Sequence, residues 1–177
     1  MTHWLDDDEI STWVRFIAVV ELLPGVLEQQ LRRDSELTHF DYFVLAMLSE
    51  APERRLRMSV LAGRTNATLP RLSHVVSRLE ERGLVRRAPC PQDGRATNAE
   101  LTDAGWAAVV AAAPGHVAAV RRYVLDALTP EQVRLLGEVS DAILTRLDPE
   151  GAMTAPYQRP VVTAAGATAT TDRAAGS

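Results

Sequence analysis

Apolar residues recur every three or four positions from residue 9 to about 33, at Trp13, Phe16, Ile17, Val20, Leu23, Leu27 and Leu31, which predicts an amphipathic helix. Pro24-Gly25 falls inside that stretch and is expected to kink or loosen it. Thr38 followed by Asp41 is a helix-start signal, the hydroxyl capping and the acid sitting near the positive helix end. This second helix turns Phe40, Phe43, Val44, Met47 and Leu48 inward and ends near Glu50-Ala51-Pro52. Arg55-Leu56-Arg57-Met58 alternates polar and apolar, as a short strand does.

A short helix over residues 59–65, a turn at Asn66-Ala67-Thr68 and a helix from Thr68 to Arg82 come next. Thr68 fits the N-cap, Pro70 sits in the first turn where its missing N–H costs little, and Gly83 marks the stop. Leu72, Val75, Val76 and Leu79 form the inner stripe. Short helix, tight turn and second helix with a polar outer face make a helix-turn-helix. Residues 84–88 then read as a strand, Asp93-Gly94 as a hairpin turn and residues 95–101 as the return strand, so a β-wing follows directly. Thr102 caps a further helix to about Leu128, interrupted at Pro114-Gly115. Thr129-Pro130-Glu131-Gln132 is a capping box for a last helix to Leu147, with Val133, Leu136, Val139, Ile143, Leu144 and Leu147 on its apolar side. The fold class is mainly α with a small β-wing. The expected division is 1–35 and 102–147 as helical segments, 36–101 as the winged helix-turn-helix lobe, and 148–177 as a disordered tail rich in Ala, Thr, Gly and Pro.

Charge sharpens this picture. The chain of 177 residues carries a net charge of −4, and all nineteen of its basic residues are arginine. Between Arg54 and Arg95 ten arginines face three acids, a local net of +7 inside an acidic remainder of −11. A basic middle suits contact with a polyanion; the alternative is a merely solvated arginine-rich face. One cysteine allows no internal disulfide and no Cys-based zinc site, and four scattered histidines give no metal centre. No uninterrupted apolar run reaches the roughly 18 residues of a membrane span, and no leader pattern opens the chain, so a cytoplasmic protein is expected. No nucleophile–base pair or phosphate-binding glycine loop points to catalysis, and no cofactor is expected.

The runs Leu61-Ala62-Gly63-Arg64-Thr65, Leu72-Ser73-His74-Val75-Val76-Ser77-Arg78-Leu79-Glu80-Glu81-Arg82-Gly83-Leu84-Val85-Arg86-Arg87, Asp93-Gly94-Arg95 and Leu101-Thr102-Asp103-Ala104-Gly105 resemble, in this order, the MarR family of bacterial winged-helix regulators. The similarity covers about residues 10–147. It implies a homodimer in which 1–35 and 102–147 are interlocked dimerisation helices, two DNA-binding lobes (36–101) facing one duplex, and a cleft that takes small phenolic or amphipathic effectors. Leu69-Pro70 departs from the family's small polar residues at the start of the recognition helix.

In a helix-turn-helix the N-terminal half of the second helix meets base edges in the major groove. On that basis Arg71 is the candidate bidentate guanine contact, Ser73 and His74 touch bases or phosphates, and Ser77 and Arg78 touch phosphate. Arg64 and the turn residues with Thr68 lie near the backbone, Arg86 and Arg87 lie on the wing strand, and Arg95 at the wing tip enters the minor groove. By family analogy Asp93 orients the wing through Arg86 or Arg87. Trp13, Phe16, His39, Tyr42 and His116 are candidates to line an effector cleft, the plain alternative being core or dimer packing. Expected partners are double-stranded DNA, a second copy of the chain and a small effector, as in a repressor. Two other readings stay open: a protein-interaction module built on the winged helix, and a redox sensor acting through Cys90.

Overall fold

Capping chemistry sets most of the element boundaries. The computed structural model describes residues 2–91 and 93–153. Asp6 with Glu9, Thr38 with Asp41 and Thr129 with Gln132 form reciprocal capping boxes that start α1 (Asp7–Ser35), α2 (His39–Ser49) and α6 (Pro130–Leu147). Thr68 and Thr102 cap α4 (Leu69–Glu81) and α5 (Asp103–Tyr123), and α3 (Met58–Arg64) directly precedes the turn into α4. Single 3₁₀ turns lie at Pro52–Arg54 and Leu125–Ala127.

Three strands form one antiparallel sheet in the order β1 (Arg55–Arg57), β3 (Asp93–Leu101), β2 (Val85–Cys90). β1 pairs Leu56 with Ala99, and β2 pairs Val85 with Leu101. The sheet, the end of α1, α2, α3, α4 and the start of α5 enclose one core in which Leu31, Leu45, Leu48, Leu61, Leu72, Val76 and Leu79 are fully buried. The expected inner stripe of α4 is the one observed to be buried. The result is a mainly helical winged helix-turn-helix.

As expected, α1 and α5 continue past Pro24 and Pro114, each losing one ladder hydrogen bond there. Packing of α1 on α5, which buries Leu27, Gln30 and Leu31, holds the second half of α1 in place. Three expectations need correction. The hairpin turn is not at Asp93-Gly94. Cys90 pairs with Asp93 and Pro89 with Thr97, so Gly94, Arg95 and Ala96 bulge from β3 beyond a turn that precedes Asp93. The segment after α6 is ordered at its start, because the Asp148 carboxylate accepts the N–H groups of Ala152 and Met153, each at 2.9 Å. The rest of the expected disordered tail, 154–177, lies outside the described residues. Finally, α1 is by length and composition long and apolar enough to cross a bilayer. A count of uninterrupted apolar residues misses this because Arg15 and Glu21 break the run.

Candidate nucleic-acid interface

The outer face of α4 carries Arg71, Ser73 and His74, all exposed, beyond the Thr68 cap. The Thr68 hydroxyl accepts the Arg71 N–H at 3.4 Å, so it is engaged in starting the helix. Between the start of α4, the start of α3 and the sheet lies an open depression of about 400 Å³, lined by residues that include Arg57, Leu69, Ser73, Arg87 and Thr97.

Most guanidinium groups of the basic segment have partners inside the protein. Arg87 holds strand β2 to α4: it pairs with Glu80 at 2.8 Å and donates to the Ser73 carbonyl at 2.7 Å and to the Ser77 hydroxyl at 2.9 Å. Arg86 and Arg55 converge on Glu100, whose side chain is only 10% exposed, at 2.7 and 3.3 Å. Arg54 pairs with Asp103 and lies over Trp106. Arg78 pairs with the buried Asp41, Arg82 donates to the Glu36 carbonyl at 3.1 Å, and Arg71 lies over the Phe40 ring at 4.4 Å. Among the described residues, Arg64 and Arg95 have neither an ion pair nor a side-chain hydrogen bond.

These contacts revise the roles expected of several arginines. Arg78 and Arg87 are not free cations on the groove side, because Asp41 and Glu80 neutralise them. Asp93 meets Arg57 at 3.8 Å and accepts the Arg95 backbone N–H at 3.1 Å, rather than pairing with Arg86 or Arg87. The cause is geometric, since nearer carboxylates on α4 and β3 already hold those two. Sequence reasoning missed Glu80, Glu100 and the second role of Asp41, which had shown only a cap signal.

The five effector candidates form two groups. Trp13 and Phe16 lie 6.2 Å apart on the exposed first half of α1. His116 on α5 faces Tyr42 at 4.6 Å and His39 at 6.4 Å. Trp13 is about 20 Å along α1 from Glu28, which accepts the His39 N–H at 2.6 Å, so one cleft within the chain does not gather all five. Burial holds both imidazoles below their usual range, with Glu28 opposing this at His39 and His39 adding to it at His116. His116 Nδ1 and Gln30 Oε1 are buried without a partner among the described residues. Cys90 is 4% exposed, which denies an oxidant the access that a redox switch needs.

A family model described as "MarR family" matches residues 37–96, which run from the end of α1 into the wing. Among solved structures, the chain is similar to Sco3205 of Streptomyces coelicolor, a MarR family transcriptional regulator crystallised with DNA. Identity is 45%, coverage 84% of this chain and 93% of that one, and the TM-score 0.81. AbsC of the same organism, also described as a MarR family transcriptional regulator, is 40% identical, with 82% and 98% coverage and a TM-score of 0.78. The regulator BldR of Sulfolobus solfataricus is 26% identical, with 81% and 99% coverage and a TM-score of 0.68.

Proposed function

The chain belongs to the MarR family of transcriptional regulators, and from that premise we propose that it binds double-stranded DNA as a homodimer on a pseudo-palindromic operator and represses the adjoining genes. The observation that carries this reading is its 45% identity, over 93% of that chain, to Sco3205, whose crystal contains DNA. The N-terminal half of α4 enters the major groove with Ser73 and His74, Arg71 leaves the Phe40 ring to join them, and the bulge at the wing tip carries Arg95 to the minor groove. Arg64, at the end of α3, meets the phosphate backbone.

The second copy covers the faces this chain leaves bare. Helix α6 buries no residue, and Val133, Leu136 and Val139 are exposed on it, as are Trp13, Val14, Phe16 and Val20 on α1. Helices in proteins draw most of their stability from packing an apolar face, which α6 does not bury in its own chain, so α6 needs a partner surface. Two copies then set their recognition helices about one DNA turn apart, roughly 34 Å. A small amphipathic or phenolic effector, seated where His39, Tyr42 and His116 meet, changes the angle between α5 and the lobe and lowers affinity. The protein acts in the cytoplasm, where its operator lies.

Footprinting on the DNA upstream of its own gene across a salt series, with sedimentation to read mass, tests the proposal. Two protected half-sites and a dimer mass are the expected result. A monomer, or no protection at low ionic strength, refutes it.

A further inference from the structure

Arg71 and Arg78 on α4 and Arg82 at its C-cap stand seven and four residues apart, a spacing that puts them on one side of the helix. All three turn toward the corner between α1 and α2. Arg82 Nη1 donates to the Glu36 carbonyl, Arg78 Nη2 reaches the Asp41 carboxylate, and Arg71 lies over Phe40. Asp41 divides its two oxygens: Oδ2 accepts the Thr38 N–H at 3.0 Å and closes the cap of α2, while Oδ1 takes Arg78. Only 2% exposed, Asp41 has Arg78 as its one ion-pair partner among the described residues. A buried carboxylate deprived of its cation is strongly unfavourable, so the pair fixes where α4 lies against α2.

The geometry points to Asp41 and Arg78 as positioning residues for DNA binding: their ion pair seats the recognition helix on α2 and sets the angle at which Ser73 and His74 meet the groove. Neither needs to touch DNA, and binding constellations tolerate angular errors of only about 10–20°. Helix α2 also meets α1 through Glu28 and His39, and α5 through Tyr42 and His116. A displacement of either helix therefore reaches α4 through this pair. The inference rests on the DNA-binding reading above, and its test keeps the two apart.

Electrostatics alone gives the opposite sign, because removing a carboxylate from a polyanion-binding lobe raises affinity. Asp41→Asn keeps an oxygen for the Thr38 N–H and turns an amide donor toward Arg78. Binding is measured on the duplex that the wild-type protein selects from a random-sequence pool, across a salt series. The expected result is binding about tenfold weaker, the weight of one charge-assisted hydrogen bond, with the wild-type salt slope. Backbone amides of α4 also exchange faster in the DNA-free protein. Arg78→Gln, which still donates to Asp41, is expected to behave likewise, and it decides the matter if Asp41→Asn does not fold. Equal or tighter binding by the variants overturns the inference. So does a slope reduced by about 0.9 per copy in Arg78→Gln, which makes Arg78 a phosphate contact. If the wild-type protein selects no duplex, the DNA-binding reading fails and, with it, this inference; if it does and both variants match it, the positioning role alone fails.

Discussion

Replacing Arg95 with alanine tests how many cations this surface presents to phosphate. Sequence reading offers DNA six arginines per copy: Arg64, Arg71, Arg78, Arg86, Arg87 and Arg95. Carboxylates hold three of them, Asp41 on Arg78, Glu100 on Arg86 and Glu80 on Arg87. Arg64, Arg71 and Arg95 have no carboxylate partner among the described residues, and a dimer doubles them. Each neutralised phosphate contributes about −0.9 to the slope of log affinity against log salt. Three arginines per copy therefore give a slope of about −5.4, and six per copy give about −11. On the smaller count, raising salt from about 50 to about 200 mM weakens binding roughly 2,000-fold.

Arg95→Ala removes two phosphate contacts per dimer, which brings the slope to about −3.6 and the same salt step to roughly 150-fold. Arg87→Ala behaves differently. It unties β2 from α4 without removing a phosphate contact, so affinity falls in parallel at every salt concentration. Fluorescence anisotropy with a labelled operator duplex reads both slopes. A wild-type slope near −11, or an Arg95→Ala slope equal to wild type, refutes the division into tied and free arginines.

Three further outcomes are expected. A Cβ on Gly105 lies 2.0 Å from the Leu84 carbonyl oxygen, which already accepts the Thr102 N–H at 3.1 Å. Gly105→Ala should therefore cost about 2–3 kcal/mol after its helix-propensity gain, read by urea unfolding, and unchanged stability counts against it. Burial lowers the His39 and His116 pKa values, with Glu28 and Tyr42 as their polar neighbours, so the unfolded chain protonates first as pH falls through about 6.5. The stability they contribute is fully present above that pH and is lost as pH falls toward their folded-state values; His116→Asn should flatten the decline, and a rise in stability on acidification contradicts it. Val139→Glu on exposed α6 should give monomers by sedimentation and lose operator binding while the winged-helix lobe stays folded, whereas a persistent dimer places the interface elsewhere.

The boundaries of the fold were legible because they depend on local chemistry. Thr38, Thr68, Thr102 and Thr129 each cap within three residues of themselves, and the α4 stripe repeats at helical spacing. The charge partition was legible for the same reason, since it is a property of one segment. The fate of each arginine was not legible. Asp41 lies 37 residues from Arg78, and Glu100 lies 14 from Arg86 and 45 from Arg55, separations at which only the folded chain decides who meets whom. Asp93-Gly94 shows the limit of even a local signal: it has turn chemistry, yet the chain turns before it and uses Gly94 in a bulge.

Helix α1 raises a choice between lipid and protein as its cover. A spanning α1 would carry Arg15 and Glu21 into hydrocarbon, at about 2.5–3.5 kcal/mol for a charge at the helix centre. It would also have to leave α5, against which its second half packs with Leu27, Gln30 and Leu31 buried. The bare positions concentrate before Pro24, at Trp13, Val14, Phe16, Val19, Val20 and Leu22, so the helix is anchored in its own chain at one end and uncovered at the other. Helix α6 is uncovered in the same way and is too broken by Arg134, Glu138 and Asp141 to enter a bilayer. Lipid would account for one of these faces. The second copy proposed above would account for both, and the same contact would place two recognition helices on one duplex.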